Sequence, residues 1–129
     1  MPHLRFEYSA NVEAEADLPG FCDHMRDAML ATGVFPLGGI RVRGHKCDVA
    51  TISDGAPDRG FLHATVMMGQ GRDEVTRIRV ADDLYAAARS WLEPRMADRG
   101  FALSLVVEEL DSRFSRKALN TIHDKLSKD

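Results

Sequence analysis

A strand–helix–strand pattern occurs twice along this 129-residue chain and constrains the fold more than any other feature of the sequence. The first copy, about residues 2–47, has predicted strands over 2–8 and 40–47, with a helix between them that begins after Asp17 and ends at Gly33. The second copy, about residues 61–110, has predicted strands over 61–68 and 101–110 around a helix of residues 75–96. Two copies indicate an internal duplication within one domain of residues 1–129.

Each predicted helix has an apolar stripe that it would bury against a sheet. In the first helix the stripe is Leu18, Phe21, Cys22, Met25, Ala28 and Met29. In the second it is Val75, Ile78, Ala81, Leu84, Tyr85, Ala88, Trp91 and Leu92, with Arg77, Arg79 and Arg89 expected on the solvated side. Right-handed crossovers place both helices on the same side of the sheet. The predicted fold class is α+β or α/β: two β-α-β units forming a four-stranded sheet with two helices on one face.

The second face of this sheet also needs cover. The predicted strands over 61–66 and 101–107 are apolar on both alternating sets of positions, which is typical of strands buried on two sides. A chain of this length has no further layer to supply, so we expect a homo-oligomer. The tail, residues 111–129, has Leu119, Ile122 and Leu126 at the spacing of a short amphipathic helix.

Composition excludes several classes of protein. Hydrophobic residues make up 44% and charged residues 29%, which is typical of a globular domain. The formal net charge of −3 gives no basic footprint for a nucleic acid. No apolar run is long enough to span a bilayer, and the first five residues do not form a secretory leader. We therefore expect a cytoplasmic protein that binds neither nucleic acid nor membrane.

Cysteine and histidine usage predicts no disulfide framework and no metal centre. Cys22 and Cys47 are too few for such a framework and too far apart for a metal knuckle. The five histidines lack the spacing of metal ligands. The prediction is two reduced thiols and no metal or other cofactor.

Pro2 is the first candidate for chemistry. Removal of Met1 would make it the N-terminus, a secondary amine held rigidly by the strand that follows. A cationic or apolar surrounding would lower its pKa, because both disfavour the ammonium form. The amine would then serve as a general base near neutral pH. The alternative is that Met-Pro reflects only N-terminal processing.

Cationic side chains provide two further candidates. With a period of two, Arg41, Arg43 and His45 share one face of the second strand, where guanidinium groups would match carboxylates. The alternative is a solvated edge strand that guards against aggregation. In the turn over residues 69–72, glycines would let backbone N–H groups and a helix N-terminus face an anion, with Arg72 as a ligand contact. An ordinary turn with an exposed arginine is the alternative there.

These features together resemble the tautomerase superfamily, and within it the 5-carboxymethyl-2-hydroxymuconate isomerase family. The resemblance covers residues 2–110 and is most specific over residues 31–41, ATGVFPLGGIR. It also includes Met1-Pro2-His3, residues 16–20 (ADLPG), Arg43, His45, the Gly71-Arg72 turn and residues 102–110 (ALSLVVEEL). The tail diverges most.

The resemblance implies a metal-free and cofactor-free isomerase of aromatic catabolism, a homotrimer that acts on a ring-cleavage product of homoprotocatechuate. Pro2 would move the proton, taking it from the dienol hydroxyl or an allylic carbon of an unsaturated 2-hydroxy acid. Arg72 and Arg41 would bind substrate carboxylates, with Arg43 as a possible third cation. The second unit has Ser104 where the first has Arg41, and Leu62 where the first has Pro2. Each half thus retains a different part of the site, which the oligomer would unite.

Two alternatives remain open from the sequence. The same scaffold could catalyse hydration with dehalogenation, or decarboxylation, with Glu108 or Glu109 activating water. It could also be a trimeric ligand-binding protein without turnover, which a retained Met1 would favour.

Overall fold

A four-stranded mixed sheet organises the computed structural model, which describes residues 1–126. Its strands are β1 (His3–Ser9), β2 (Arg41–Cys47), β3 (Gly60–Gly69) and β4 (Phe101–Leu110), in the spatial order β2-β1-β3-β4. The outer pairs β1–β2 and β3–β4 are parallel, and the central pair β1–β3 is antiparallel. Each parallel pair is joined by a helical crossover, as the duplicated pattern predicts.

The two crossover helices lie where the sequence places them. Helix α1 (Glu13–Ala16) is a single unpredicted turn before helix α2 (Leu18–Ala31). Helix α2 begins at Asp17, whose carboxylate accepts a hydrogen bond from the Gly20 N–H, and Pro19 occupies its first turn. Helix α3 (Glu74–Arg95) begins in the same way, with Asp73 accepting from the Thr76 N–H. Short 3-10 turns, also unpredicted, span Ala10–Val12, Leu37–Gly39 and Ser112–Phe114.

The core lies between the sheet and helices α2 and α3, which confirms that both helices cover one face. The predicted stripe of α2 is confirmed, with Leu18, Phe21, Met25 and Met29 buried. The stripe of α3 is only partly correct, because Val80, Leu84, Ala88 and Leu92 are its buried residues.

The first turns of α3 depart from the predicted stripe. Val75 and Ile78 are 76% and 52% exposed. Arg77, expected in solvent, instead faces β4, where its Nη1 lies 3.5 Å from Oε1 of Glu109. Apolar spacing alone assigns Val75 and Ile78 to the side of α3 that faces the sheet. In the structure, Arg77 lies on that side, paired with Glu109.

The predicted helix of the tail is shorter than the apolar spacing indicates. Helix α4 contains only Ile122–Leu126, and Leu119 lies before it in an irregular segment, 88% exposed. The last three residues of the tail lie outside the described range. Among residues 1–126, no helix is both long enough and apolar enough to cross a membrane.

The sheet face opposite the helices, here called the open face, is uncovered in one protomer. It mixes apolar and polar side chains, with Arg43 and His45 on β2, His63 and Met67 on β3, and Val106 on β4. The predicted apolar surface therefore exists in part, beside a strip of charged and hydrogen-bonding groups.

The corrected core of α3 can be tested by paired truncations. Leu84→Ala is expected to lower the free energy of unfolding by about 2–5 kcal/mol, because it leaves a cavity in a fully buried position. Ile78→Ala is expected to cost less than about 1 kcal/mol, because that side chain is half exposed. Urea unfolding at one protein concentration measures both. Equal losses would contradict the observed orientation of α3.

Candidate active site

Parallel pairing of β1 with β2 brings Pro2 against the turn that precedes β2. The Arg41 N–H donates to the Pro2 carbonyl oxygen across 3.2 Å, and the Pro2 ring is buried. A methyl group on Gly39 would lie 3.1 Å from Cδ of Pro2. Glycine at position 39 therefore permits the close approach that holds the proline ring in one orientation.

Pro2 lines a cavity of about 400 Å³ at the end of the sheet. The N-terminal unit contributes Met1, Pro2, Phe35 and Gly39 to its wall, and the segment after β3 contributes Gln70 and Arg72. Two of the predicted site residues, Pro2 and Arg72, are thus brought together. The part of the chain that lines this cavity contains no Asp or Glu, so its charged side chains are cationic.

Arg72 is fixed in this cavity by backbone carbonyls. Its Nη1 donates to the Gly69 carbonyl and its Nη2 to the Val34 carbonyl, each across 3.1 Å. The guanidinium also lies over the Phe35 ring, 5.5 Å from the centroid. Within the described residues these bonds use two of the five guanidinium N–H groups, so three are left for a ligand. A carboxylate is the ligand that such a planar fork matches.

The turn before Arg72 has one amide and the following helix N-terminus already bonded, which leaves only part of the predicted anion cradle. Gly71 has a φ of +114°, a conformation that glycine adopts readily, and it turns the chain out of β3. The Gln70 N–H donates to the Leu110 carbonyl, and Asp73 occupies the N-terminus of α3 with its own carboxylate. The turn thus presents the Arg72 side chain, while one of its amides, the Gln70 N–H, ties it to the end of β4.

The two arginines of β2 lie outside the cavity lining of the same protomer. The Arg41 Nη1 donates to the carbonyls of Gly38 (3.0 Å) and Ile40 (2.9 Å). Its Nη2 and Nε have no partner among residues 1–126 and form an unused edge. The Arg43 Nη1 lies 3.1 Å from Nδ1 of His3 on the open face. The predicted alignment of Arg41, Arg43 and His45 on one face is confirmed, but that face is not the wall of the Pro2 cavity.

The chain terminus carries a perturbed amine. The pKa of the Met1 amine falls from 8.0 to about 6, first because the group is partly removed from water. A hydrogen bond with Lys117 and the charges of Lys117, Arg72 and Arg41 lower it further. The site therefore favours a neutral amine at its N-terminus.

Sequence reasoning missed the contribution of the tail to this cavity. Lys117, Ala118, Asn120 and His123 all line it. The Asn120 Nδ2 donates to the Gly38 carbonyl across 3.1 Å and ties the tail to the Leu37–Gly39 turn. Amphipathic spacing directs attention to Leu119 and Ile122, whereas their polar neighbours Lys117, Asn120 and His123 line the cavity. No local signal predicts that the tail reaches the cavity, because its path depends on contacts with Gly38, which is distant in sequence.

The remaining candidates take no part in the cavity wall. Glu109 pairs with Arg77, and Glu108 lies on the opposite side of β4. His45 lies on the open face in a depression that it shares with His63. Searching the described residues finds no group of three or more His, Cys, Asp or Glu that could hold a metal ion.

Comparison with known proteins agrees with this geometry. A family model described as 5-carboxymethyl-2-hydroxymuconate isomerase matches residues 2–126. A 5-carboxymethyl-2-hydroxymuconate Delta-isomerase from Escherichia coli is 37% identical over 123 residues, or 95% of this chain and 97% of that protein. A crystal structure of a 5-carboxymethyl-2-hydroxymuconate isomerase from Deinococcus radiodurans R1 superposes with a TM-score of 0.88 at 30% identity, covering 97% of this chain and 93% of that one. Another crystal structure, of a 5-carboxymethyl-2-hydroxymuconate delta-isomerase, superposes with a TM-score of 0.90 at 28% identity. The match covers 98% of this chain and 93% of that one.

More distant structures share the fold alone. A member of the cis-3-chloroacrylic acid dehalogenase family gives a TM-score of 0.66 at 15% identity, over 90% of this chain and 80% of that one. A fused 4-OT symmetric trimer gives a TM-score of 0.66 at 13% identity, over 88% of this chain and 91% of that one.

The paired β-α-β units, with both helices on one face of the sheet, define the fold class that this chain shares with the compared structures. Within that fold class, the chain belongs to the 5-carboxymethyl-2-hydroxymuconate isomerase family, and it is an isomerase. The predicted fold class and the family resemblance are thereby confirmed.

The perturbed N-terminus gives a direct prediction. In protein that retains Met1, acylation of the terminal amine should follow its neutral fraction and reach half its maximal rate at about pH 6. Peptide mapping by mass spectrometry measures the labelling. Protein unfolded in urea is the control, with an expected midpoint near 8.0. A folded-state midpoint near the unfolded value would contradict the described surroundings of the amine.

Proposed function

We propose that this isomerase moves a proton along an unsaturated 2-hydroxy or 2-oxo polycarboxylate and that the Pro2 amine is its base. The observation that carries the proposal is the burial of Pro2 in the wall of a cationic cavity shared with Arg72. The names of the relatives indicate 5-carboxymethyl-2-hydroxymuconate as the substrate. Such a compound is a ring-cleavage product of aromatic catabolism, as the family resemblance implies.

A terminal proline suits this role for physical reasons. Removal of Met1 converts the Pro2 nitrogen from an amide to a secondary amine with a free lone pair. The surroundings that lower the pKa of the Met1 amine, partial burial and nearby cations, act on an amine at position 2 in the same direction. Contact with Gly39 and the bond from the Arg41 N–H hold the ring in place. The base is therefore oriented, and its surroundings favour the neutral amine over the ammonium form.

The proposed reaction is a balanced proton transfer. The neutral Pro2 amine removes the proton of the dienol hydroxyl, and the resulting dienolate delocalises its charge along the conjugated carbons. The Pro2 ammonium then returns the proton to a carbon further along, which leaves a 2-oxo acid and a free amine. Arg72 binds a substrate carboxylate and, with Arg41, stabilises the charge that develops. Only a proton moves, so the reaction requires no cofactor.

We further propose a homotrimer in which a neighbouring protomer completes the site. The uncovered open face with its exposed Val106 supports an assembly, as does the structural likeness to a protein described as a symmetric trimer. Arg41 lies outside the cavity lining of its own protomer and retains an unused guanidinium edge, which favours donation to a neighbour. Arg43 would line the same interface between neighbouring protomers. A cytoplasmic location stays a prediction, with which two free cysteines agree.

The alternative reactions find less support in the cavity. Hydration with dehalogenation would need a carboxylate to activate water. Glu109 is paired with Arg77, and Glu108 is absent from the described lining. A ligand-binding protein without turnover would retain Met1, which lines the cavity where substrate would enter. Intact mass of the purified protein separates that alternative from the proposed enzyme.

Replacement of the base should abolish most of the turnover. With Met1 removed from both proteins, Pro2→Ala is expected to lower kcat for ketonisation of the dienol by about 10²–10⁴, the contribution of a positioned general base. Stopped-flow absorbance of the dienol measures the rate. Pro57→Ala is the control, since Pro57 is exposed and lies outside the cavity. Near-normal kcat in the Pro2 variant would exclude proline catalysis.

Replacement of Arg72 should act mainly on binding. Arg72→Ala is expected to raise KM by about tenfold or more with a smaller change in kcat, because a charge-assisted contact to a carboxylate is lost. Arg72→Lys should restore part of the affinity, although its point charge cannot replace the planar fork. The control is Arg89→Ala, an exposed arginine of α3 paired with Glu93. An unchanged KM would remove Arg72 from the substrate site.

Mixed oligomers test whether Arg41 crosses between protomers. Pro2→Ala and Arg41→Ala chains, each weakly active alone, are co-expressed with different tags and purified through both. In each mixed trimer selected by both tags, one of the three sites should combine an intact Pro2 with a neighbour's intact Arg41, so activity should recover to about a third of the wild-type value. Mixed oligomers without recovery would assign Arg41 to its own protomer.

A further inference from the structure

The tail returns from β4 to close one side of the Pro2 cavity. Besides the bond from Asn120 to the Gly38 carbonyl, the Asn120 Oδ1 accepts from the Ile122 N–H at the start of α4. The imidazole of His123 rests on Gly38, where an added methyl group would lie 2.6 Å from Cε1. A glycine at position 38 thus makes room for a tail residue, just as Gly39 makes room for Pro2. The tail is therefore fitted to the turn beside the active site.

Lys117 enters the cavity at this closed side. It lines the wall together with Arg72 and Met1, and besides burial its charge is among the causes that lower the pKa of the Met1 amine. Lys117, Arg72 and the terminal amine therefore meet in a space whose described lining contains no acidic side chain. Like charges at close range repel each other unless an anion joins them. This arrangement, in a chain of net charge −3, is suited to a ligand of several negative charges.

With Arg72 of the same cavity and an Arg41 supplied by a neighbouring protomer, Lys117 gives three cations, the number of carboxylates in the proposed substrate. A 5-carboxymethyl-2-hydroxymuconate carries two carboxylates on its conjugated chain and a third on a freely rotating methylene group. The planar forks of Arg72 and Arg41 match carboxylates held in the plane of the dienol. A lysine ammonium is a compact charge on a flexible stem and needs no fixed plane. It therefore suits the carboxylate on the rotating arm.

We propose that Lys117 binds the carboxymethyl carboxylate and selects the tricarboxylate over dicarboxylate dienols that lack this arm. Lys117 is thus a specificity-determining residue supplied by the tail, positioned by the contacts of Asn120 and His123 with the Leu37–Gly39 turn. This inference rests on the proposed function of the Pro2 cavity and identifies the substrate group that the tail recognises.

The test compares two dienols that differ only in the arm, 5-carboxymethyl-2-hydroxymuconate and 2-hydroxymuconate. For Lys117→Met, the ratio of kcat/KM for the first to kcat/KM for the second is expected to fall at least tenfold. Using a ratio removes any change in the pKa of the amine, which affects both substrates alike. Lys117→Arg, which keeps the charge, should retain most of the ratio. Lys125→Met, at an exposed lysine of α4, is the matched control and should leave the ratio unchanged.

A second variant tests the same role of the tail without changing Lys117 itself. Gly38→Ala displaces the His123 ring and with it the tail, so the ratio should fall as it does for Lys117→Met. Thermal unfolding at one protein concentration verifies that each variant is folded. Equal losses on both dienols in the Lys117 variant would show a general structural role and overturn the inference. An unchanged ratio would overturn it as well.

Binding of unreactive acids separates this inference from the proposed function. If the wild-type protein turns over neither dienol, the proposed function fails, and calorimetric binding of propane-1,2,3-tricarboxylate and pentanedioate tests Lys117 independently. Lys117→Met should then weaken binding of the tricarboxylate by a factor at least ten times larger than the factor by which it weakens binding of the dicarboxylate. Equal weakening of both, or of neither, would overturn the assignment of Lys117.

Discussion

The close packing of Pro2 against the Leu37–Gly39 turn is the contact on which the candidate site depends. Parallel pairing of β1 with β2 sets it, because the Arg41 N–H bonds to the Pro2 carbonyl at the first step of the ladder. The same turn receives the N-terminus on Gly39 and the tail on Gly38. Two chain ends that are far apart in sequence therefore meet across one short turn, and the cavity forms between them.

Electrostatic imbalance distinguishes this cavity from the rest of the molecule. The chain is acidic overall, with 20 Asp and Glu against 17 Lys and Arg, yet the described cavity lining holds cations without acids. Backbone carbonyls stabilise the guanidinium groups of Arg72 and Arg41 while leaving N–H groups unused. An amine placed among such groups loses its proton more readily. The same cations suit a polycarboxylate, so one arrangement serves both the proposed base and the proposed binding of substrate.

The periodicity of apolar residues predicts the fold wherever the apolar residues are the ones that become buried. All four strands and both crossover helices lie close to their predicted ranges, because alternation and helical spacing report which side of an element is buried. The prediction failed at the start of α3, where Arg77 faces the sheet to pair with Glu109, and Val75 and Ile78 face solvent. Spacing records only apolarity, so it cannot anticipate an ion pair with a strand thirty residues away.

The candidate site divides in the same way. The sequence by itself determined the family, the proline at position 2 and the glycine-rich turn before β2, because these are local patterns of residue type. It also identified Arg72, whose turn leads directly from β3. Only the tertiary structure decided that Arg41 and Arg43 lie outside the cavity lining of their own protomer, and that Lys117, Asn120 and His123 contribute to the cavity. The physical reason is that the path of the tail after β4 depends on contacts with Gly38. Those contacts form only when the segments around Pro2 and around Asn120 have both packed against the Leu37–Gly39 turn.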